Sequence, residues 1–106
     1  MKNGIGKKIR KAILQKPVRV ADGNKGYITE YADVATVWAE INYLRVRSSS
    51  SAEFVELLHA QVYIWMRTDV AKGWRLIADG KTFAVQSTTP EPDDINLGIL
   101  CTEVVP

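Results

Sequence analysis

The sequence has few of the residues that catalysis and metal binding use most. Among its 106 residues there is one cysteine, Cys101, and one histidine, His59. A single cysteine cannot form an internal disulfide, and neither residue has a second Cys or His at metal-ligand spacing. Nucleophilic or acid-base catalysis needs a nucleophile, a base and an orienting group, and no motif supplies partners for His59. We therefore expect a protein that is not an enzyme, with His59 as a surface or capping residue.

Cofactor-binding motifs and membrane segments are lacking as well. Gly4-Ile5-Gly6 has neither the preceding strand nor the third glycine of a phosphate-binding loop. The acidic stretch 90–94 contains two prolines and fits a solvated turn better than a preordered cation site. Apolar runs such as 35–39 and 99–101 are far shorter than the roughly 18 to 20 residues that span a membrane. The N-terminus lacks a signal-peptide core. These absences predict no cofactor, no metal, no membrane partner and synthesis in a cytoplasm.

The composition is that of an ordinary folded domain, whereas the charge is distributed unevenly. With 46% hydrophobic and 25% charged residues, the chain is expected to form one domain over residues 1–106. The first 25 residues carry eight of the 14 Lys and Arg residues but one of the 12 acidic residues. This pattern is typical of a solvated basic terminus, flexible over residues 1–8, and it also suits head-to-tail assembly or contact with DNA.

Alternation of apolar and polar residues predicts a mainly β protein. In 34–41, for example, Ala35, Val37 and Ala39 share one face and Thr36 and Trp38 the other. Asp79-Gly80 has the chemistry of a tight hairpin turn. Without the spacing of βαβ units, the strands form a small antiparallel β-barrel or sandwich. The six predicted strands are 9–16, 34–41, 60–67, 74–78, 82–87 and 95–104.

Two segments between these strands are predicted to be different. Phe54, Leu57 and Leu58 lie at i, i+3 and i+4 after several possible serine caps, which predicts one short inserted α-helix over 52–59. Residues 18–33 have weak alternation and a centre, Asp22-Gly23-Asn24-Lys25-Gly26, with the chemistry of a turn. They are expected to form a long mobile loop or a hairpin tip, and loops of about this length are usually functional or disordered.

The aromatic residues are the candidate interface anchors, since aromatics supply large contact areas at low entropic cost. On the predicted alternation, Trp38, Tyr63 and Trp65 point away from the face that carries Val37 and Val62. Either the inserted helix or a loop covers them, or they meet a neighbouring subunit, and strand alternation alone leaves both interpretations open. The candidate assembly residues are Tyr27, Tyr31, Trp38, Tyr63 and Trp65.

The order of these features resembles the phage head-tail joining family, the head-closure or stopper proteins of long-tailed bacteriophages. The most specific segment is Asp33-Val34-Ala35-Thr36-Val37-Trp38-Ala39-Glu40, preceded by a basic strand ending at Pro17. The alternating strand 61–67, the 73–80 hairpin and the closing segment 100–104 complete a likeness that covers nearly the whole chain. One departure is Tyr31, where the family often has a tryptophan.

The resemblance implies a non-enzymatic virion structural protein that is assembled in the bacterial host cytoplasm and located at the head-tail connector. It implies a ring, expected to be a dodecamer matched to the portal, that retains packaged DNA and provides the tail attachment surface. Expected partners are further copies of the chain, the portal or adaptor protein, tail proteins and double-stranded DNA. The isolated chain is expected to be a ring or a monomer. The candidate DNA-facing residues, acting without base specificity, are Lys7, Lys8, Arg10 and Lys11.

Two other functions fit the residues. A tail-terminator or tail-completion subunit has a similar small barrel and also forms rings. A nucleic-acid-binding β-barrel would use aromatics as stacking platforms. The second function requires basic and aromatic residues interleaved on the same strands, whereas the basic residues here cluster near the N-terminus.

Overall fold

The computed structural model describes residues 9–50 and 53–105, with backbone only for 46–50 and 53–57. The described residues form six β-strands and no helix. They therefore contain no helix long and apolar enough to cross a membrane. The predicted mainly β fold is confirmed. The strands are β1 (Arg10–Ala21), β2 (Tyr27–Ser50), β3 (Glu53–Trp65), β4 (Arg75–Ala78), β5 (Lys81–Pro90) and β6 (Asn96–Glu103).

The strands close into an antiparallel barrel in the order β1-β2-β3-β6-β5-β4. Closure depends on a short contact between β1 and β4, in which Leu14 pairs with Leu76 and Gln15 with Arg75. The β4–β5 hairpin turns at Asp79 and Gly80, both with positive φ, as its sequence predicts. A closed sheet leaves few free edges, because every barrel strand has a neighbour on each side.

Alternating residues of all six strands fill the barrel. Ala12 and Leu14 of β1 point inward, and so do Val62 and Ile64 of β3. Phe83 on β5 is the largest fully buried side chain. The core is apolar, with Asn96 as its one buried polar residue among those described. The residues buried in the core are Ala12, Leu14, Ala39, Leu58, Ala60, Val62, Ile64, Val70, Leu76, Ala78, Phe83, Val85, Leu97, Ile99 and Cys101.

The helix predicted over 52–59 is wrong. Residues 53–59 belong to β3, and the β2–β3 ladder runs in one register from Ala39↔Ile64 to Ser50↔Glu53. A two-turn helix is marginal in water, whereas each residue added to an existing ladder gains backbone hydrogen bonds. The spacing of three apolar residues was too little to identify a helix against that alternative. Ala52 lies outside the described residues.

The loop predicted over 18–33 is also wrong, and its alternative, a hairpin tip, is correct. β1 and β2 pair from Arg10↔Ala39 to Ala21↔Tyr27, so that only 22–26 form a turn. Pairing of β1 with β4 ends at Gln15, and pairing of β2 with β3 begins at Ala39. Residues 16–32 therefore project from the barrel as a two-stranded hairpin, which we call the arm.

Two local features explain why the arm was missed. Pro17 ends the predicted first strand, but in the structure it lies within β1, where β2 is its one neighbouring strand, and proline is tolerated at such an edge. A bulge at Val34 interrupts the alternation, since Leu14 pairs with Ala35 and Gln15 with Asp33. An extra residue in one strand shifts its outward positions by one, which weakens the period-2 pattern.

A second projection lies at the other end of the barrel. Beyond the pair His59↔Thr102, β3 continues to Glu53 with β2 as its partner. Because β2 runs through both projections, they extend from opposite ends of the barrel. β2 has 24 residues, about 75 Å at about 3.3 Å per residue. The longest extent of the molecule is 51 Å, so β2 must bend strongly along its course.

Candidate assembly surface

The arm has an inner face that continues the core-facing side of the barrel. Ala12 and Leu14 point into the core, and strand alternation places the next β1 side chains of the same parity on that side. On this face Val20 pairs with Ile28 and Val18 with Glu30. Ile28 is 48% exposed, because the barrel has ended and no described element covers it. The inner arm face consists of Lys16, Val18, Val20, Ile28, Glu30 and Ala32.

The outer face of the arm is held by polar and cation–π contacts. At its base the Gln15 amide donates to the Asp33 carboxylate (2.7 Å), and the Arg75 guanidinium lies 4.0 Å from the Tyr31 ring centroid. Near the tip, Arg19 lies 4.5 Å from the ring centroid of Tyr27. Exposed cation–π contacts are worth about 0.5–1 kcal/mol each. These contacts orient the arm but give it little stability of its own.

The turn at the arm tip is stabilised by the Asp22 side chain. One carboxylate oxygen accepts hydrogen bonds from the backbone N–H groups of Asn24 (2.7 Å) and Gly26 (3.1 Å). Gly23 and Lys25 have positive φ, and a Cβ on Gly26 would lie 2.9 Å from the Asp22 carboxylate. The turn that the sequence predicts at 22–26 is thus present, and it joins β1 and β2 as a hairpin.

On the barrel wall, Trp38 and Trp65 are neighbours. Trp38 is adjacent to Ala39 and Trp65 is adjacent to Ile64, and Ala39↔Ile64 is the pair at this end of the β2–β3 ladder. Both tryptophan side chains point outward. Trp38 is 49% exposed and Trp65 is 51% exposed. Together they line an open depression, which we call the tryptophan hollow. Its described lining is Thr36, Val37, Trp38, Trp65, Met66 and Arg67.

Two cations flank this hollow. The Lys11 ammonium lies 5.4 Å from the ring centroid of Trp38. Arg67 is paired with Asp69 at 2.8 Å, and this hydrogen bond holds the pKa of the Asp69 carboxyl below its usual value. Lys11 forms no ion pair with any side chain that the structure describes. Lys11 therefore gives the rim of the hollow an unneutralised positive charge, whereas the charge of Arg67 is neutralised by Asp69.

The five predicted aromatic residues lie as two pairs and one separate residue. Tyr27 and Tyr31 lie on the outer arm face, whereas Trp38 and Trp65 meet at the hollow. Tyr63, half-buried, lies on the outer wall two residues from Trp65. Trp38 and Trp65 are exposed and Val62 is buried, so the opposite faces read from the alternation are confirmed for these residues. Covering by an inserted helix is wrong for the described residues, and the interface role of the five aromatics stays a prediction.

The predicted DNA-facing residues have separate surroundings. Lys7 and Lys8 lie outside the described residues. The Arg10 guanidinium donates to the Asp79 carboxylate at 2.8 Å and forms an ion pair with it, and Lys11 lies beside Trp38. β1 runs from one end of the barrel to the arm tip beyond the other end, so its own basic residues, from Arg10 to Arg19, are spread along the molecule. Contact of these residues with DNA stays a prediction.

A polar network at the opposite end of the barrel from the arm was not found from the sequence. The Tyr43 hydroxyl donates to the Asp79 carboxylate, which also accepts from Arg10, joining β1 and β2 to the β4–β5 turn. Burial and the hydrogen bond to Asp79 raise the pKa of Tyr43 to about 12. The hydrogen bond from Tyr43, with the nearby Arg10 charge, holds the pKa of Asp79 below its usual value. The Tyr43 ring lies 5.9 Å from that of Phe83.

The residues considered for catalysis or metal binding have structural surroundings. The Nδ1 atom of His59 lies 3.0 Å from the Thr102 hydroxyl on the neighbouring strand. Asp93 accepts from the backbone N–H groups of Ile95 and Asn96 and from the Asn96 amide. Burial raises the pKa of the Cys101 thiol to about 12, which leaves it unreactive at neutral pH. Among the residues described, no three His, Cys, Asp or Glu side chains are grouped to hold a metal ion.

Fold and surface thus define a small all-β barrel protein whose distinctive features are a projecting arm and exposed aromatic residues. The chain belongs to the phage head completion protein family, whose profile matches residues 5–104. It is therefore a virion structural protein of the bacteriophage type, and the resemblance read from the sequence is confirmed.

Two solved structures share the fold. A chain of the virion of a native gene transfer agent particle has 18% identity and a TM-score of 0.70, covering 92% of this chain and 96% of that chain. The solution structure of protein SF1141 from Shigella flexneri 2a has 21% identity and a TM-score of 0.73, covering 95% and 96%. No curated protein matches the chain significantly.

Proposed function

We propose that the protein is a head-closure subunit that forms a ring under the portal, retains packaged DNA and presents the tail attachment surface. The ring is a dodecamer matched to the portal, assembled in the host cytoplasm. The proposal is supported by membership of the head completion family. The observation that carries it is the inner arm face, which projects beyond the barrel with Ile28 48% exposed and Val18 and Val20 only partly buried.

An uncovered two-stranded arm is unfavourable in an isolated protein. Two-stranded hairpins are marginally stable in water, and burying apolar surface is worth about 25 cal/mol per Å². The arm therefore gains both order and free energy when a partner covers Val20 and Ile28. Partners available at a head vertex are the portal, neighbouring copies of the chain and, after completion, tail proteins.

The test compares two adjacent residues on opposite faces of the arm. Ile28→Asp places a charge on the inner face, whereas Thr29→Asp places the same charge on the outer face; both residues are exposed. In a phage that depends on this chain, Ile28→Asp is expected to give DNA-filled heads that lose DNA and carry no tails. Thr29→Asp is expected to give infectious particles. Encapsidated DNA and electron microscopy of the heads are the measurements.

Other outcomes would redirect the proposal. Stable, tailed heads with Ile28→Asp at normal incorporation would contradict it. If the purified protein instead bound isolated tails and not filled heads, the tail-completion function would replace it. Tight, salt-sensitive binding to single-stranded nucleic acid would favour the nucleic-acid-binding barrel.

A further inference from the structure

Two of the exposed apolar surfaces lie at the arm end of the barrel, the inner arm face and the tryptophan hollow. A ring built from identical subunits uses a heterologous contact, in which two different surfaces of each subunit meet. We propose that the inner arm face of one subunit docks in the tryptophan hollow of a neighbouring copy of this chain. This proposal rests on the ring of the proposed function.

The two surfaces suit each other in shape. From Gln15 to Ala21 the arm extends about 20 Å at about 3.3 Å per residue, far enough to reach past its own barrel. Near its tip Val20 and Ile28 face each other across the two strands and form a narrow aliphatic ridge. The hollow is open and lined by two half-exposed indole rings. Aliphatic side chains packed on aromatic rings are favourable neighbours in sheets and interfaces.

Charge fixes the direction of the contact. Glu30 lies on the inner arm face, across the two strands from Val18, and forms no ion pair with any described side chain. Lys11 beside Trp38 also lacks an acidic partner among the described side chains. Arg67, the other cation of the hollow, is already neutralised by Asp69. An arm entering the hollow brings Glu30 toward Lys11, which supplies both charges with a partner.

The contact is expected to be weak in a single pair of subunits. The side chains of Val18, Val20 and Ile28 bury much less surface than the roughly 1,200 Å² of a standard stable interface. In a closed ring every subunit makes the contact twice, and the portal holds the copies at high effective concentration. The isolated chain is accordingly expected to be monomeric, with the contact present in completed heads.

Cross-linking in completed heads tests the contact. Ile28→Cys combined with Thr36→Cys places one thiol on the inner arm face and one in the hollow. Thr29→Cys combined with Thr36→Cys is the matched control, with the arm thiol on the outer face. The native thiol of Cys101 is buried and does not compete. A short bis-maleimide is expected to join copies of the first variant into a ladder and to leave the control as monomer.

The result is decided by which chains are joined. Absence of the ladder in heads that contain the Ile28→Cys, Thr36→Cys chain at normal levels would overturn the contact while leaving the head-closure function intact. Equal ladders in both variants, or joining of Ile28→Cys to a different virion protein, would overturn it as well. Absence of the unaltered chain from completed heads would instead overturn the proposed function.

Charge reversal gives a second test that needs no cysteine. Glu30→Lys and Lys11→Glu are each expected to lower incorporation into heads by about five- to tenfold at low salt, because each places like charges together. The double variant restores opposite charges at every contact of the ring, and its incorporation is expected to recover. Single variants that incorporate normally, or a double variant no better than the singles, would contradict the pairing.

Discussion

The barrel and the arm are made from the same kind of strand and differ in what covers them. In the barrel, inward side chains such as Ile64 meet side chains from other strands and are fully buried. In the arm, Ile28 occupies an equivalent inward position but is about half exposed. The same alternation therefore gives a stable core in one region and an uncovered surface in the other. The barrel is therefore expected to hold most of the folding free energy, and the arm is the surface that we propose serves assembly.

The sharpest way to break this comparison is to shorten one isoleucine in each region. Ile64→Ala leaves a cavity in the core and is expected to lower the free energy of unfolding by about 2–5 kcal/mol. Ile28→Ala removes the same atoms from an exposed site and is expected to cost less than about 1 kcal/mol. Urea unfolding of the two variants measures the difference. Equal losses would mean that the arm packs as a core.

A smaller effect is expected for the polar network that joins the barrel end. Tyr43→Phe removes the hydroxyl that donates to Asp79, and the expected loss is about 1 kcal/mol after allowing for the exposure of both groups. Tyr27→Phe in the arm is the control, because its hydroxyl has no hydrogen bond among the described contacts, and no loss is expected. An equal loss from both variants would contradict the assignment.

The pH dependence of the Tyr43→Phe effect follows from the two shifted pKa values. Asp79 has a depressed pKa, so its contribution is present above the ordinary carboxyl value of 3.8 and is lost as the pH falls through the folded-state pKa. Tyr43 has a pKa raised from 10.0 to about 12, so its contribution is present below pH 10 and is lost as the pH rises toward 12. The stability difference between wild type and Tyr43→Phe is expected to shrink at both extremes. A difference that is constant from acid to alkaline pH would contradict the role of the hydrogen bond.

Two turn glycines, one in the barrel and one in the arm, give the smallest expected difference in stability. Gly80 closes the β4–β5 turn with φ +75° and Gly23 the arm tip with φ +86°, and a Cβ at either position meets open space. Alanine at either site is therefore strained by backbone conformation alone, at a cost of about 1 kcal/mol. Gly80→Ala is expected to lower global stability by that amount. Gly23→Ala is expected to change it by no more than a few tenths, because the arm opens locally without the barrel. Calorimetric melting of the two variants distinguishes these outcomes, and a full loss from Gly23→Ala would show that the arm unfolds only with the barrel.

Features of the fold that depend on local chemistry could be predicted from the sequence, whereas features that depend on strand register could not. Alternation identified which residues share a face of a barrel strand, and Asp79-Gly80 identified a turn, because those signals are local. The arm was hidden by Pro17 and the bulge at Val34, whose meaning depends on which neighbouring strands are present. The helix prediction failed because a continuous ladder with β2 outweighs a three-residue apolar spacing.

The candidate site was predictable in its members but not in its arrangement. Alternation placed Trp38 and Trp65 on the face opposite Val37 and Val62, whereas their exposure and their meeting at one hollow follow from barrel closure and the β2–β3 register. The contacts of Arg10 and Tyr43 with Asp79 join residues far apart in sequence. Such contacts are fixed by barrel closure, which no local pattern contains.

Hydrogen exchange of the arm, in the free protein and in completed heads, tests most directly whether the arm serves assembly. Backbone amides of 18–21 and 27–32 are expected to exchange quickly in the free protein and to become protected in heads, while amides of the barrel strands stay protected in both. An arm that is equally protected when free, or that still exchanges quickly in completed heads, would contradict the account.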